Sequence, residues 1–311
     1  MPSLAEAGPL IALLAACAFF VSQSHRFLSF QNFSLILQQT IVVGVIAIGQ
    51  TLVVLTAGID LSCGMVMAFG SIIMTKFAVV LGVPPVLAIL CGIGASTLFG
   101  LLNGVLVTRV KLPSFIVTLG TLNIAFALTQ LYSNAETISN LPDAMMFFGN
   151  TFRVGPAEVT YGTVLALFMY FAVWFVLKNT VPGRHLYALG NNPEAARLMG
   201  LSSQRILLTV YSLSGMIYGI AALLLVSRTG VGDPQAGQTD NLDSITAVVL
   251  GGTSLFGGRG SVVGTLLGAL IVGVFRNGLT LIGVSSVYQV LITGILVILA
   301  VAADKLTHRK A

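Results

Sequence analysis

Charge is scarce in this sequence. Of 311 residues only 25 are Asp, Glu, Lys or Arg, while 56% are hydrophobic and the mean hydropathy is +0.98. A water-soluble body of this length could not cover its surface with so few charges. Cysteine is as sparse: Cys17, Cys63 and Cys91 all sit inside apolar blocks, with no CxxC and no neighbouring His. That excludes a disulfide framework and a zinc site. His25, His185 and His308 stand far apart, so no metal cluster, catalytic triad or carboxylate pair emerges. The glycine-rich stretch from Gly251 to Gly260 lacks the Gly-Lys-Ser/Thr ending of a phosphate loop, and no soluble strand precedes it. ATP is therefore not expected there, and a tight turn accounts for the glycines. The formal charge of +5 resides in short connections, with no basic face or interleaved aromatics, which excludes nucleic acid as a partner. No Lys or Arg precedes the apolar run from Pro9 to Ser22, so this run reads as a short first helix rather than a signal peptide.

What the chain does have is apolar blocks long enough for a hydrocarbon core about 30 Å thick. Ten are marked off by charged or Gly/Pro breaks: 8–22, 35–56, 62–81, 84–107, 113–132, 160–178, 206–227, 242–257, 261–282 and 286–303. The expectation is an all-α membrane protein, a single domain over 1–311 with about ten transmembrane helices, some broken or re-entrant. Ten spans put both termini on one side. Arg109, Lys111, Lys178, Arg184, Arg197, Arg205, Arg259, Lys305, Arg309 and Lys310 all fall on one face, which the positive-inside tendency makes cytoplasmic. Lys76 and Arg276 lie inside apolar spans near their outer ends, where snorkelling to the interface is the simplest reading.

A repeat appears when residues 94–122 are laid on 268–296 at an offset of 174. Gly94/Gly268, Ala95/Ala269, Asn103/Asn277, Gly104/Gly278, Val110/Val284, Gly120/Gly294 and Leu122/Leu296 coincide. The two copies, roughly 35–132 and 206–303, run in opposite senses through the membrane. That is the inverted repeat of many transporters, with cargo passing between the halves.

Two polar breaks interrupt the apolar blocks. In Thr56-Ala57-Gly58-Ile59-Asp60-Leu61-Ser62 the glycine permits the break, while Asp60 and Ser62 are placed to cap the next helix. Asp240-Asn241-Leu242-Asp243-Ser244 opens the eighth span, with Asp243 and Ser244 again read as caps. Between Asn179 and Arg205 runs a long cytoplasmic loop. Within it Asn192, Pro193, Glu194, Ala195, Ala196, Arg197, Leu198, Met199 and Gly200 read as a short helix: Asn192 caps it, Pro193 sits in the first turn, Glu194 complements the dipole and Gly200 ends it. The apolar stripe Ala195, Leu198 and Met199 needs a surface to dock on, because so short a helix cannot bury it alone.

Gly58-Ile59-Asp60-Leu61-Ser62, the loop from Gly183 to Gly200, Gly251-Gly252-Thr253-Ser254-Leu255 and Asn277-Gly278-Leu279 together resemble the ribose/fructose-type sugar permeases of ATP-binding-cassette (ABC) importers. The resemblance covers the chain from about residue 27 onward. It is strongest to fructose permeases around residues 118–124 and 257–262, whereas Cys63 and Met65 depart from the usual pattern. It implies a bacterial inner-membrane subunit that binds no cofactor itself, with ATP and Mg on a separate ATPase. The 192–200 helix would then be the coupling helix, and further partners would be a periplasmic sugar-binding protein and a second permease copy. Gln50, Asn103, Thr118, Asn123, Thr246 and Asn277 are the candidates for a weakly polar path, each equally suited to a helix-packing hydrogen bond. Rival readings are an ion-coupled secondary transporter and a branched-chain amino-acid permease; a membrane enzyme lacks any constellation.

Overall fold

A computed structural model describes residues 4–308. The chain is helical nearly throughout, as lipid demands, since a helix satisfies its own backbone groups where no water can. The helices are α1 (Leu4–Gln23), α2 (Phe30–Leu55), α3 (Cys63–Val79), α4 (Pro85–Thr108), α5 (Ser114–Ser133), α6 (Asp143–Met146), α7 (Tyr161–Asn179), α8 (Val181–Asn191), α9 (Pro193–Leu198), α10 (Ser203–Thr229), α11 (Asp240–Leu250), α12 (Val262–Leu281) and α13 (Ser286–His308). A small hairpin of β1 (Thr151–Val154) and β2 (Ala157–Thr160) pairs Thr151 with Thr160 and Val154 with Ala157. Local chemistry sets many boundaries. The side chains of Ser29, Thr160 and Ser261 accept the first free amides of α2, α7 and α12, while Asn134 and Gly230 end α5 and α10 in the left-handed conformation.

Among the described residues, six helices are long and apolar enough to cross a membrane: α2, α4, α5, α7, α10 and α12. Gly8–Gln23, Cys63–Val79 and Ser286–Ile298 are shorter apolar stretches. The ten expected spans thus correspond to six long and three shorter apolar helices among the described residues, and one differs in kind. The eighth, 242–257, is helical only as the 11 residues of α11, about 16 Å long, and cannot cross alone. Arg309 and Lys310, counted in the charge bias, lie outside the described residues.

The centre of the bundle is α2 and α10, packed on each other. From Val42 to Leu55 every residue of α2 is buried. Around this pair the packing is two-sided: α4 lies on α3 and α10, and α12 lies on α11 and α2. Likewise α3 packs on α5 and α10, and α11 on α13 and α2. Helix α1 docks on α12, where the ring of Phe20 lies against Gly278 and meets Phe275 edge-on at 5.6 Å. The outward faces of α4, α5 and α7 are studded with exposed Leu, Phe and Val, as suits helices facing lipid.

The two ends of the bundle differ. At one, α6 and the β-hairpin cap the bundle, and the connection 134–139 bridges to Gly232 through Ile138. At the other lie α8, α9 and the glycine turn 251–260. The stretch 179–205 is not a plain loop: α8 fills its first half, and α10 already begins at Ser203.

Candidate functional site

The two polar breaks, 181 residues apart, meet inside the bundle. The Asn241 amide donates to the carbonyl of Leu61 at 3.3 Å, and Cys63 Sγ lies 3.6 Å from Ser244 Oγ. Gly64 and Gly237 touch backbone to backbone, so that a Cβ on either would overlap the other's carbonyl. The N-terminal ends of the short helices α3 and α11 therefore abut.

A buried polar network surrounds this junction. Asp60, 1% exposed, accepts hydrogen bonds at Oδ1 from the Ser62 amide (2.8 Å) and hydroxyl (2.6 Å), and at Oδ2 from Tyr218 OH (3.2 Å). Gln50 donates to the Asp60 carbonyl at 3.0 Å. Asn103 donates to Ser62 Oγ at 3.1 Å and accepts from Thr121 Oγ1 at 2.8 Å. Thr118 Oγ1 donates to the carbonyl of Ile59 at 3.1 Å, while Ser114 Oγ accepts the Ile59 amide at 3.2 Å. The chain between α2 and α3 is thus held by side chains of α2, α4, α5 and α10, which satisfy groups that lipid could not.

Several expectations are corrected here. Asp60 and Ser62 make no side-chain cap on α3; Ser62 is its N-cap residue without a capping bond, and both side chains serve the network instead. The residue with positive φ in the break is Ala57, at +60°, not Gly58. Gly58 is required for space, since a Cβ there would lie 2.8 Å from Tyr211 Oη and 2.9 Å from Val53 Cγ1. Asp243 does not cap α11 either. It lies in the first turn, and its carboxylate meets Arg276 Nη1 at 3.4 Å, so Arg276 pairs within the protein rather than snorkelling free. Lys76 does turn to the hairpin end, donating to the Tyr132 carbonyl with its ammonium 4.4 Å from that ring's centroid.

Of the six path candidates, the structure brings Gln50, Asn103 and Thr118 together. Thr246 is buried but bonds back to Leu242 of its own helix at 2.6 Å. Asn277 is buried in α12 away from the network, with Oδ1 unpartnered. Asn123 is exposed on α5 and bonds Leu119 one turn back. Sequence reading missed Tyr218, Ser114 and Thr121, ordinary residues in apolar helices whose partners are distant in the chain.

At the other end of the bundle, Asn192 Oδ1 accepts the Ala195 amide at 3.0 Å, and Gly200 follows α9 with φ +83°. Ala196 is buried and Ala195 partly so, whereas Leu198 and Met199 are 83% and 69% exposed. Beside α9, α8 buries Gly183, Leu186, Leu189 and Gly190. Its sequence signals were Thr180 as cap and Pro182 in the first turn. Gly190 packs so closely that a Cβ would overlap the carbonyl of Leu55, the last residue of α2, and lie 2.6 Å from the Gly258 amide nitrogen. That amide donates to the same Leu55 carbonyl at 2.9 Å. Tyr187 OH donates to the Gly260 carbonyl at 2.9 Å, and burial pushes its phenol pKa up, keeping the donor proton in place. Helix α8, the end of α2 and the glycine turn after α11 are therefore one block.

A family model described as branched-chain amino acid transport system / permease component matches residues 32–301. The fructose import permease protein FrcC of Rhizobium meliloti is 48% identical over 97% of this chain and 86% of its own length. The ribose import permease protein RbsC of Bacillus subtilis is 39% identical over 96% and 92%. The galactose/methyl galactoside import permease protein MglC of Escherichia coli K12 is 33% identical over 99% and 96%. No solved structure matches the chain.

Proposed function

The chain belongs to the branched-chain amino acid transport system / permease component family, and from that premise we propose that it is the membrane-spanning subunit through which an ATP-driven importer passes a monosaccharide. It is a multi-pass transporter subunit rather than an enzyme. Relatives named for fructose, ribose and galactose import, at 33–48% identity over nearly the whole chain, support a sugar over an amino acid as cargo. ATP and Mg are assigned to a separate ATPase, and delivery of cargo to a periplasmic sugar-binding protein. The α8–α9 end carries the greater share of basic residues and is placed in the cytoplasm together with both termini, which puts the hairpin end outside.

The observation that carries the coupling role is the exposed pair Leu198 and Met199 on a capped helix of six residues. Such a helix does not gain by presenting apolar side chains to water, so a partner surface is its natural counterpart. Motion imposed there would reach the membrane through the α8 block, since Gly190 abuts the end of α2 and that end leads directly into the Asp60 network. The two-sided packing of α2–α5 against α10–α13 supports the inverted repeat, with the abutting short helices α3 and α11 as its centre. One coupling surface per chain favours two permease copies over two ATPases, and Asn123, exposed on α5, is placed to face a path between them.

The test is co-purification. Leu198→Glu with Met199→Glu is expected to leave insertion intact and to abolish ATPase association and sugar uptake together. A secondary transporter would keep its uptake. Wild-type ATPase association and uptake in this variant would overturn the coupling assignment.

A further inference from the structure

Between α11, α12 and α13, at the hairpin end, lies a small open cleft of about 80 Å³ that the Asp60 network does not touch. Asp243 and Arg276 face it, with Ser286, Gln289 and Thr293 on α13 and the ring of Phe275 in its wall. The Asp243 side chain is 10% exposed, whereas that of Arg276, which also lines the cleft, is 50% exposed. The amide nitrogen of Gln289 is anchored to Thr280 Oγ1 at 3.1 Å and to the Val284 carbonyl at 3.0 Å, so the side chain is fixed in place.

The fold does not call for this polarity. At the offset of 174 that aligns the two copies, Leu102, Leu112, Phe115 and Leu119 stand where the cleft has Arg276, Ser286, Gln289 and Thr293. Helix α3, the counterpart of α11, contains no acidic residue at all. One half of the chain therefore carries exposed apolar side chains at these positions, and the other maintains an ion pair and three polar side chains there, at a cost in membrane stability. Ionisable residues kept within a membrane domain mark a path or a site.

The chemistry selects the ligand. The carboxylate and the Gln289 amide oxygen accept, a guanidinium donates, and the hydroxyls do both. Vicinal hydroxyls of a sugar need that mixture. The paired charges cancel, which favours a neutral ligand over an anion. Acyl chains would find an ion pair in the wall.

We propose that this cleft is a monosaccharide subsite within the permease, on the side where cargo arrives. The proposal rests on the importer reading for its ligand, and binding to the isolated permease separates the two.

The experiment places the purified chain in nanodiscs without ATPase or binding protein and titrates D-fructose, D-ribose and D-galactose, reading saturation transfer from protein to sugar. Uptake by the complete complex in proteoliposomes is measured in parallel. Gln289→Phe with Thr293→Leu, which installs the residues of the other repeat, is expected to weaken sugar binding roughly tenfold or more, equivalent to losing about one strong hydrogen bond, and to raise the KM for uptake. Asp243→Asn with Arg276→Gln, which removes the charges and keeps both side chains polar, is expected to do the same. Undiminished sugar binding in both pairs overturns the subsite. Absence of sugar signal from the wild-type chain while the complex still imports sugar also overturns it and leaves the importer standing. A sugar signal that these variants weaken, from a complex that imports no monosaccharide, supports the subsite and sinks the importer reading. Co-purified phospholipid lost only in these variants, with no sugar signal from the wild type, would make the cleft a lipid site and overturn the proposal.

Discussion

Replacing Gly190 with alanine inserts one methyl group at the contact that joins α8 to the membrane helices. Its carbon would overlap the Leu55 carbonyl oxygen and sit 2.6 Å from the Gly258 amide nitrogen, about 0.8 Å inside an ordinary contact of ~3.4 Å. Both neighbours are backbone, so no side chain can swing aside. The strain has two outlets: α8 moves off the end of α2, or the 2.9 Å hydrogen bond from Gly258 to Leu55 opens. Overpacking costs about 1–3 kcal/mol, and a buried hydrogen bond left unmade adds about 1–3 kcal/mol. The expected destabilisation is therefore about 2–5 kcal/mol, read by denaturant unfolding in mixed micelles. Because the displaced block lies between α9 and the Asp60 network, uptake in proteoliposomes should fall further than expression or ATPase association. Gly200→Ala is the control. There the Cβ meets nothing within 4 Å, and only the left-handed backbone at φ +83° opposes it, at about 1 kcal/mol. Wild-type stability and uptake in Gly190→Ala would refute both the close packing and the relay built on it.

Asp60→Ala removes the acceptor for the Ser62 amide and hydroxyl and for Tyr218 OH, and should destabilise the protein by about 2–5 kcal/mol. Asp60→Asn, which still accepts from Ser62, should cost less, and equal stability of the two variants would reject the network as described. For topology, a cysteine at Arg197 should react with an impermeant maleimide only from the cytoplasm and one at Asp143 only from outside. Labelling of the Arg197 position from outside would invert the assignment.

Composition by itself determined the membrane class, because 8% charge cannot solvate a body of 311 residues. Block length located the helices, since each apolar run is a local property of the chain. The short helix after Asn192 was equally legible: a cap, a proline and a closing glycine act within a few residues of one another. Helix α8 escaped because its apolar contacts, Leu186, Leu189 and Gly190, acquire meaning only against α2 and the glycine turn. The eighth span was misjudged because hydropathy runs on through Gly251–Gly257 after the helix has ended. Above all, the partners of Asp60 are Gln50, Ser62 and Tyr218, and those of the Asp240–Ser244 break are Leu61 and Cys63. A sequence shows that such polar groups must be satisfied in lipid. Ser62 and Gln50 are near neighbours, but Tyr218 and the contacts between the two breaks join residues more than 150 apart, and the packing of the helices alone decides those.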